Sequence, residues 1–215
     1  MKRGALIVLE GTDKVGKSTA AVELMKQISS VGKKAKLFQF PDVKTPVGMI
    51  LADLLGEETS MKKRATHLLF AANRWEREDD MVTALNAGFT VIVDRYLHSG
   101  VAYASCALEQ NLTGVRVGSM EWARKLNNGL PKPDLVCLLD AEPDSTVDRP
   151  GWEDETQQVK DASAAVREQF LQMRDHTWLT VDASRPKEIV ADRLFGAVIE
   201  EMLKEREGEV GRIQW

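Results

Sequence analysis

The run Gly11-Thr12-Asp13-Lys14-Val15-Gly16-Lys17-Ser18 follows an apolar stretch, Ala5-Leu6-Ile7-Val8-Leu9, and precedes a helix-forming one, Thr19–Met25. Its glycines fit a chain that turns tightly and lays backbone N–H groups against an anion. A lysine at its end reaches the β and γ phosphates of a nucleotide, and the serine hydroxyl suits Mg²⁺. Gly11, Lys14, Val15, Gly16, Lys17, Ser18 and Thr19 are therefore the candidate nucleotide-binding set, against the plainer reading of a glycine turn that binds nothing. A second candidate lies further on, in Val91-Ile92-Val93-Asp94-Arg95-Tyr96. A carboxylate closing a strand beside a phosphate loop suits Mg²⁺, directly or through water. The planar fork of Arg95 suits phosphoryl oxygens. Taken alone, Asp94 and Arg95 also read as a surface ion pair.

Such residues need a scaffold, and the pattern supplies one. Short β-branched runs at Ala5–Glu10, Ala35–Phe40, Thr90–Asp94, Leu135–Asp140 and Thr177–Asp182 predict strands. Amphipathic stretches at Lys17–Val31, Pro46–Leu55, Lys62–Asn86, Ser99–Glu109, Ser119–Asn127, Thr156–Arg174 and Pro186–Glu205 predict helices. This alternation is that of an α/β fold whose five-stranded parallel sheet is flanked by helices in three layers. Ligands gather at the carboxyl ends of strands in such sheets. Asp13 and Lys14, Pro41 and Asp42, Arg95, and Arg185 all follow strands closely. No repeat or linker divides residues 1–215, so one domain is expected. The acidic, proline-containing segment at 142–156 is too polar for a core and reads as a short mobile lid.

Composition narrows the class. A chain of 215 residues with 43% hydrophobic and 29% charged residues is that of an ordinary globular protein. A net charge of −4 argues against a broad nucleic-acid surface. Cys106 and Cys137 are the two cysteines, too few for a disulfide framework, which suits a reducing compartment. No secretory leader is recognised and no apolar run approaches membrane-spanning length. The expected location is cytoplasmic, with nuclear entry left open. His67, His98 and His176 show no metal-ligand spacing and no neighbouring nucleophile, and read as structural or surface residues.

Several motifs together resemble the thymidylate kinases of eukaryotic and poxviral type. They are Leu68-Leu69-Phe70-Ala71-Ala72-Asn73-Arg74-Trp75-Glu76, Asp94-Arg95-Tyr96 followed by Ser99-Gly100-Val101-Ala102-Tyr103, and Gly129-Leu130-Pro131-Lys132-Pro133-Asp134. Phe40-Pro41, Val181-Asp182-Ala183-Ser184 and the terminal Gly211-x-x-x-Trp215 add to the likeness. The resemblance implies a P-loop kinase fold and transfer of the γ-phosphoryl group of ATP to dTMP, giving dTDP and ADP, with Mg²⁺ as cofactor and a homodimer as the assembly. It makes Lys17, Lys14, Asp94 and Arg95 the catalytic group, with Ser18 and Asp94 on the metal and Arg95 bridging donor and acceptor.

For the acceptor, the resemblance implies Asp13, Phe40, Pro41, Phe70, Arg74, Arg95, Tyr96, Gly100 and Tyr103. Phe70 would stack on thymine and Arg74, four residues on and so on the same helix face, would bond a pyrimidine carbonyl. Tyr96 and Tyr103 would line sugar and base, and Asp13 would accept from the 3′-hydroxyl. Arg149 and Arg185 match positions that flank adenine in relatives. A basic Lys14 in the loop, with a lid whose one basic residue is Arg149, places the catalytic charge on the loop side. Two departures stand out. Val43 occupies the place where relatives carry an arginine that clamps the acceptor phosphate, with Lys44 beside it. The lid run Gly151-Trp152-Glu153-Asp154-Glu155-Thr156 lacks the family's tyrosine. Competing expectations are a deoxynucleoside or broader deoxynucleotide kinase, and a nucleotide-binding protein with impaired catalysis. A regulatory GTPase is disfavoured because no Asn-Lys-x-Asp segment occurs. Long apolar helix faces such as Val82–Leu85 with Val101–Leu108 would permit dimerisation.

Overall fold

The computed structural model describes residues 2–56, 61–109, 120–142 and 157–215. Five strands, β1 (Leu6–Glu10), β2 (Ala35–Gln39), β3 (Thr90–Asp94), β4 (Leu135–Asp140) and β5 (Trp178–Asp182), form one sheet. Its order is β2-β3-β1-β4-β5 and every pairing is parallel. The central strand β1 is buried at all five positions, as expected where helices cover both faces.

Side chains alternate across β1, and so do their environments. Ile7 and Leu9 face α1 (Lys17–Ser30) and α8 (Lys187–Leu203), meeting Leu24, Ile28, Leu194 and Val198. Leu6 and Val8 face the opposite layer, among Met81 and Leu85 of α4 (Glu78–Asn86) and Leu97, the first residue of α5 (Leu97–Glu109). The same period puts Glu10 on the face of Leu6 and Val8. That layer continues through α6 (Met120–Lys125) and α7 (Gln157–Met173), where Val101, Ala104, Val166 and Phe170 pack together. Helices α2 (Pro46–Gly56) and α3 (Lys63–Glu76) complete the described elements.

Two expectations are corrected. The single helix expected over Lys62–Asn86 is broken at Arg77, whose φ of −107° and ψ of 1° end α3 and start α4. Glu78, Asp79 and Asp80 fill the first turn of α4, where negative charge meets the positive end of the helix dipole. Arg77 itself is tied to Asp42 at 3.1 Å and to Asp80 at 2.5 Å. Of the apolar faces expected to pair two copies, Ala84, Ala102 and Ala104 are spent inside the chain, Val82 is half-buried, and the Leu108 side chain lies outside the described residues. Leu85 and Val101 are fully buried in the core. The lid, apart from Glu142 and the strand end before it, lies outside the described residues, and so does Arg149.

Candidate active site

The carboxyl ends of β1 and β3 lie side by side, with Leu9 in register with Asp94. The phosphate loop leaves β1 and the Asp94-Arg95 pair leaves β3, so adjacency in the sheet brings the two motifs together. Gly11 has φ 144°, and a Cβ there would stand 2.4 Å from the Leu139 carbonyl oxygen, so no side chain fits. Lys14 adopts φ 62° within the loop, and Gly16, at φ 96°, caps the start of α1. Lys17 is the first residue of α1 and is buried; its Nζ donates to the Thr12 carbonyl. Burial, then the neighbouring Arg95, lowers the Lys17 ammonium pKa to about 7, against the pull of Asp13, Asp94 and Glu10. Ser18 Oγ donates to Asp94 Oδ2 at 2.5 Å.

Arg95 also has a left-handed backbone, φ 63°, uncommon for a residue with a side chain. Its guanidinium crosses back over the loop. Nη2 donates to Asp13 Oδ1 at 2.5 Å and Nη1 to the Gly11 carbonyl at 3.3 Å. Tyr103 OH donates to Asp13 Oδ2 at 2.7 Å, and Arg95 lies 5.6 Å from the Tyr103 ring centre. Burial pushes the Asp13 carboxyl up, but Arg95, Tyr103 and the two loop lysines outweigh it and hold it below the usual carboxylate range. A cavity of about 1130 Å³ opens beside the loop, lined by Lys14–Ala20, Arg95, Leu139 and Arg185. Arg185, expected at the nucleotide, thus shares this cavity while pairing with Asp182 at 3.2 Å.

Helix α3 carries Phe70 and Arg74 one turn apart. Phe70 is half-buried, its ring 6.3 Å from that of His67. Burial, then Arg74 and Lys63, lowers the His67 pKa to about 4, so the imidazole is neutral at pH 7. Arg74 is buried; Nε donates to Asn127 Oδ1 at 2.9 Å, and burial lowers its pKa to about 10. Its guanidinium lies against Gly100 of α5, where a Cβ would stand 2.6 Å from Nη2. Tyr96 lies behind this wall, 1% exposed, with its ring 5.9 Å from Phe40 and its hydroxyl donated to the Pro131 carbonyl. Of the two tyrosines, Tyr103 therefore meets the charged cluster and Tyr96 underlies it.

Sequence reasoning passed over several supports. Asn73, between Phe70 and Arg74 on the same run, accepts from Asp42 N–H at 2.8 Å and donates to Thr45 Oγ1 at 2.7 Å. It holds the segment that follows the cis Phe40-Pro41 bond. Asn127 anchors Arg74, and Glu10 anchors the start of α5. The one legible signal was Glu10 itself, a carboxylate ending an otherwise apolar strand.

A parallel sheet with a glycine-rich loop at its central strand, an Asp on the neighbouring strand end and arginines arrayed around a cavity define a phosphate-handling P-loop protein of the nucleotide kinase class. The thymidylate kinase family model matches residues 9–194. A thymidylate kinase of Arabidopsis thaliana is 34% identical over 213 residues, covering 99% of this chain and 78% of its own. The human thymidylate kinase is 36% identical over 196 residues, covering 88% of this chain and 87% of its own. The solved thymidylate kinase of Candida albicans superposes with a TM-score of 0.88 at 31% identity, each chain covered in full. The chain belongs to the thymidylate kinase family.

Proposed function

We propose that this enzyme transfers the γ-phosphoryl group of ATP to dTMP through the residues gathered at the carboxyl ends of β1 and β3. The products are dTDP and ADP. The observation that carries this reading is the meeting of the phosphate loop with Arg95, which spans from Gly11 to Asp13 while leaving Lys17 and Ser18 facing the cavity.

Phosphoryl transfer asks the protein chiefly for positioning and for charge where charge moves. The loop N–H groups and Lys17 take the donor phosphates, and an arriving polyanion restores the full charge of Lys17 by opposing the burial that lowers its pKa. Arg95 bridges donor and acceptor, where its fork binds two phosphoryl oxygens at once. Lys14 adds positive charge from the loop itself. Arg185 flanks the adenine, in the manner the family likeness implies. Phe70 stacks on thymine, and Arg74, with donors and no acceptor, selects a pyrimidine carbonyl over an amino group. Asp13 and Tyr103 meet the sugar edge, Asp13 accepting from the 3′-hydroxyl.

Asp94 Oδ1 is buried without a hydrogen-bond partner among the described residues, while Oδ2 faces Ser18 Oγ. Two hard oxygen donors beside a phosphate site suit Mg²⁺, which usually takes its remaining ligands from water and substrate phosphates. Ser18 and Asp94 would hold the ion, which when bound would supply positive charge to the donor phosphate oxygens. The assembly we propose is a homodimer, supported by Met49, Ile50 and Leu55 on α2 and Leu68 on α3, apolar side chains left exposed on adjoining helices. Two cysteines in 215 residues are too few for a disulfide framework, which supports a reducing, cytoplasmic setting. No helix among the described residues is long and apolar enough to cross a membrane.

An ADP-release assay across dTMP, dUMP, dCMP and thymidine tests the reading. Turnover greatest with dTMP and negligible with thymidine supports it; preference for thymidine or dCMP overturns it.

A further inference from the structure

Glu10 has no part in the chemistry derived above, yet it is completely buried at the end of β1. An isolated carboxylate there would be strongly disfavoured unless hydrogen-bonded. Its partners all belong to one short stretch of chain. Oε1 accepts from the Tyr96 N–H at 3.0 Å and the Ser99 N–H at 3.1 Å, and Oε2 accepts from Ser99 Oγ at 2.5 Å. The Ser99 N–H belongs to the opening turn of α5 and the Tyr96 N–H lies immediately before it, so the carboxylate meets the positive end of that helix from a neighbouring strand. Burial pushes the carboxyl up, but His98, with its Nδ1 3.6 Å from Oε1, and the bonds from Ser99 outweigh it, and Glu10 stays ionised.

The clamp closes immediately after Arg95. On one side the Arg95 N–H donates to the Leu9 carbonyl at 3.0 Å; on the other, the next N–H, that of Tyr96, donates to Glu10. Leu9 and Glu10 are consecutive on β1. One strand end therefore grips both peptide N–H groups bracketing the Arg95 Cα, the position with φ 63°. A left-handed conformation at a residue with a side chain persists when its surroundings over-determine it. From this backbone the guanidinium reaches Gly11 and Asp13.

We propose that Glu10 is a positioning residue for phosphoryl transfer, holding Arg95 in the left-handed backbone that lays its guanidinium over the phosphate loop. The proposal rests on the bridging role given to Arg95. Ser99 shares the task by supplying the third hydrogen bond, and His98, its ring 4.7 Å from that of Trp178, packs beside the carboxylate.

The test is a double-mutant cycle of Glu10→Gln and Arg95→Lys, read as kcat and KM for both substrates alongside thermal stability. Glutamine keeps the shape and an acceptor for the two N–H groups but loses the charge that grips them. Glu10→Gln alone is expected to lower kcat at least tenfold with the KM for ATP within twofold. In the Arg95→Lys background the same change is expected to cost less than twofold, because the group it positions is already gone. Equal losses in both backgrounds, or an unchanged kcat in Glu10→Gln, would overturn the proposal. An unchanged kcat in Arg95→Lys alone would instead remove the bridging role on which it stands. Should Glu10→Gln fail to fold, Ser99→Ala enters the same cycle with the same reading at a smaller expected loss, about threefold alone and none beyond Arg95→Lys.

Discussion

Ser18 Oγ and Asp94 Oδ2 stand 2.5 Å apart, joining the first turn of α1 to the end of β3. Residues 76 positions apart in sequence meet because β1 and β3 are neighbours in the sheet. Asp94→Asn keeps an acceptor for Ser18 but removes the charge. We expect kcat to fall on the order of a hundredfold, the scale of losing one preorganised electrostatic contact. The Mg²⁺ concentration for half-maximal rate should rise in parallel. Titrating Mg²⁺ against initial rate checks this; an unshifted Mg²⁺ dependence would remove Asp94 from the metal.

Lys17 titrates near neutrality before nucleotide arrives, at a pKa of about 7 against an ordinary 10.5. Between those values the folded state binds fewer protons than the unfolded chain, so this group makes stability rise with pH across that window. Phosphates reverse the shift. At pH 8 nucleotide binding should therefore take up roughly one proton at this site. Binding heats measured in buffers of different ionisation enthalpy reveal it as a slope, and Lys17→Met should flatten that slope. Buffer-independent heats in the unaltered protein would refute it.

Val43 is 48% exposed, so an arginine enters there without disturbing the core. A charged hydrogen bond to phosphate contributes about 1.5–3 kcal/mol. Val43→Arg should lower the KM for dTMP roughly tenfold or more while leaving that for ATP unchanged. Steady-state kinetics with each substrate varied is sufficient, and an unmoved dTMP KM would show that the clamp is supplied from elsewhere.

Asp134 accepts from Arg3 at 2.8 Å through each oxygen and from the Leu6 N–H at 2.8 Å, with Arg206 at 3.2 Å. Burial pushes this carboxyl up, but Arg3, Leu6 and Arg206 together hold it below its usual range. The stability it gives is therefore fully present above an unfolded pKa of about 3.9 and is lost as pH falls through the lower folded value. Asp134→Ala leaves two arginines facing a gap, at about 3–5 kcal/mol, or roughly 10 °C in melting temperature. Melting curves should show that difference at pH 7 and a smaller one in strong acid; equal differences throughout would contradict the assignment.

Ile50→Glu on α2 should convert a dimer to a monomer in sedimentation, because it sets a charge among exposed apolar neighbours. An unchanged sedimentation coefficient would place the contact between copies elsewhere.

The strands and the phosphate loop were legible because both are local: a β-branched run and a glycine spacing carry their own signal. The break at Arg77 was not, since α3 and α4 continue one another in amphipathic pattern and are divided by an ion pair to Asp42, 35 positions earlier. Part of the expected dimer face is core for a related reason. Leu85 and Val101 look like surface stripes on isolated helices, and only the sheet beneath them shows that they are core. Within the site, Phe70 and Arg74 stood out through a motif, whereas Asn127 acts through a partner 53 residues away, beyond any local pattern; Glu10 showed only as a carboxylate ending an apolar strand, its partners being 86 or more residues away.

The contact between Arg74 and Gly100 has a consequence for descent. Because any Cβ at position 100 would stand 2.6 Å from the guanidinium, the two sites are not free to drift separately. An alanine at position 100 requires the guanidinium, the far end of a flexible side chain, to swing aside, so a change at either position is felt at the other.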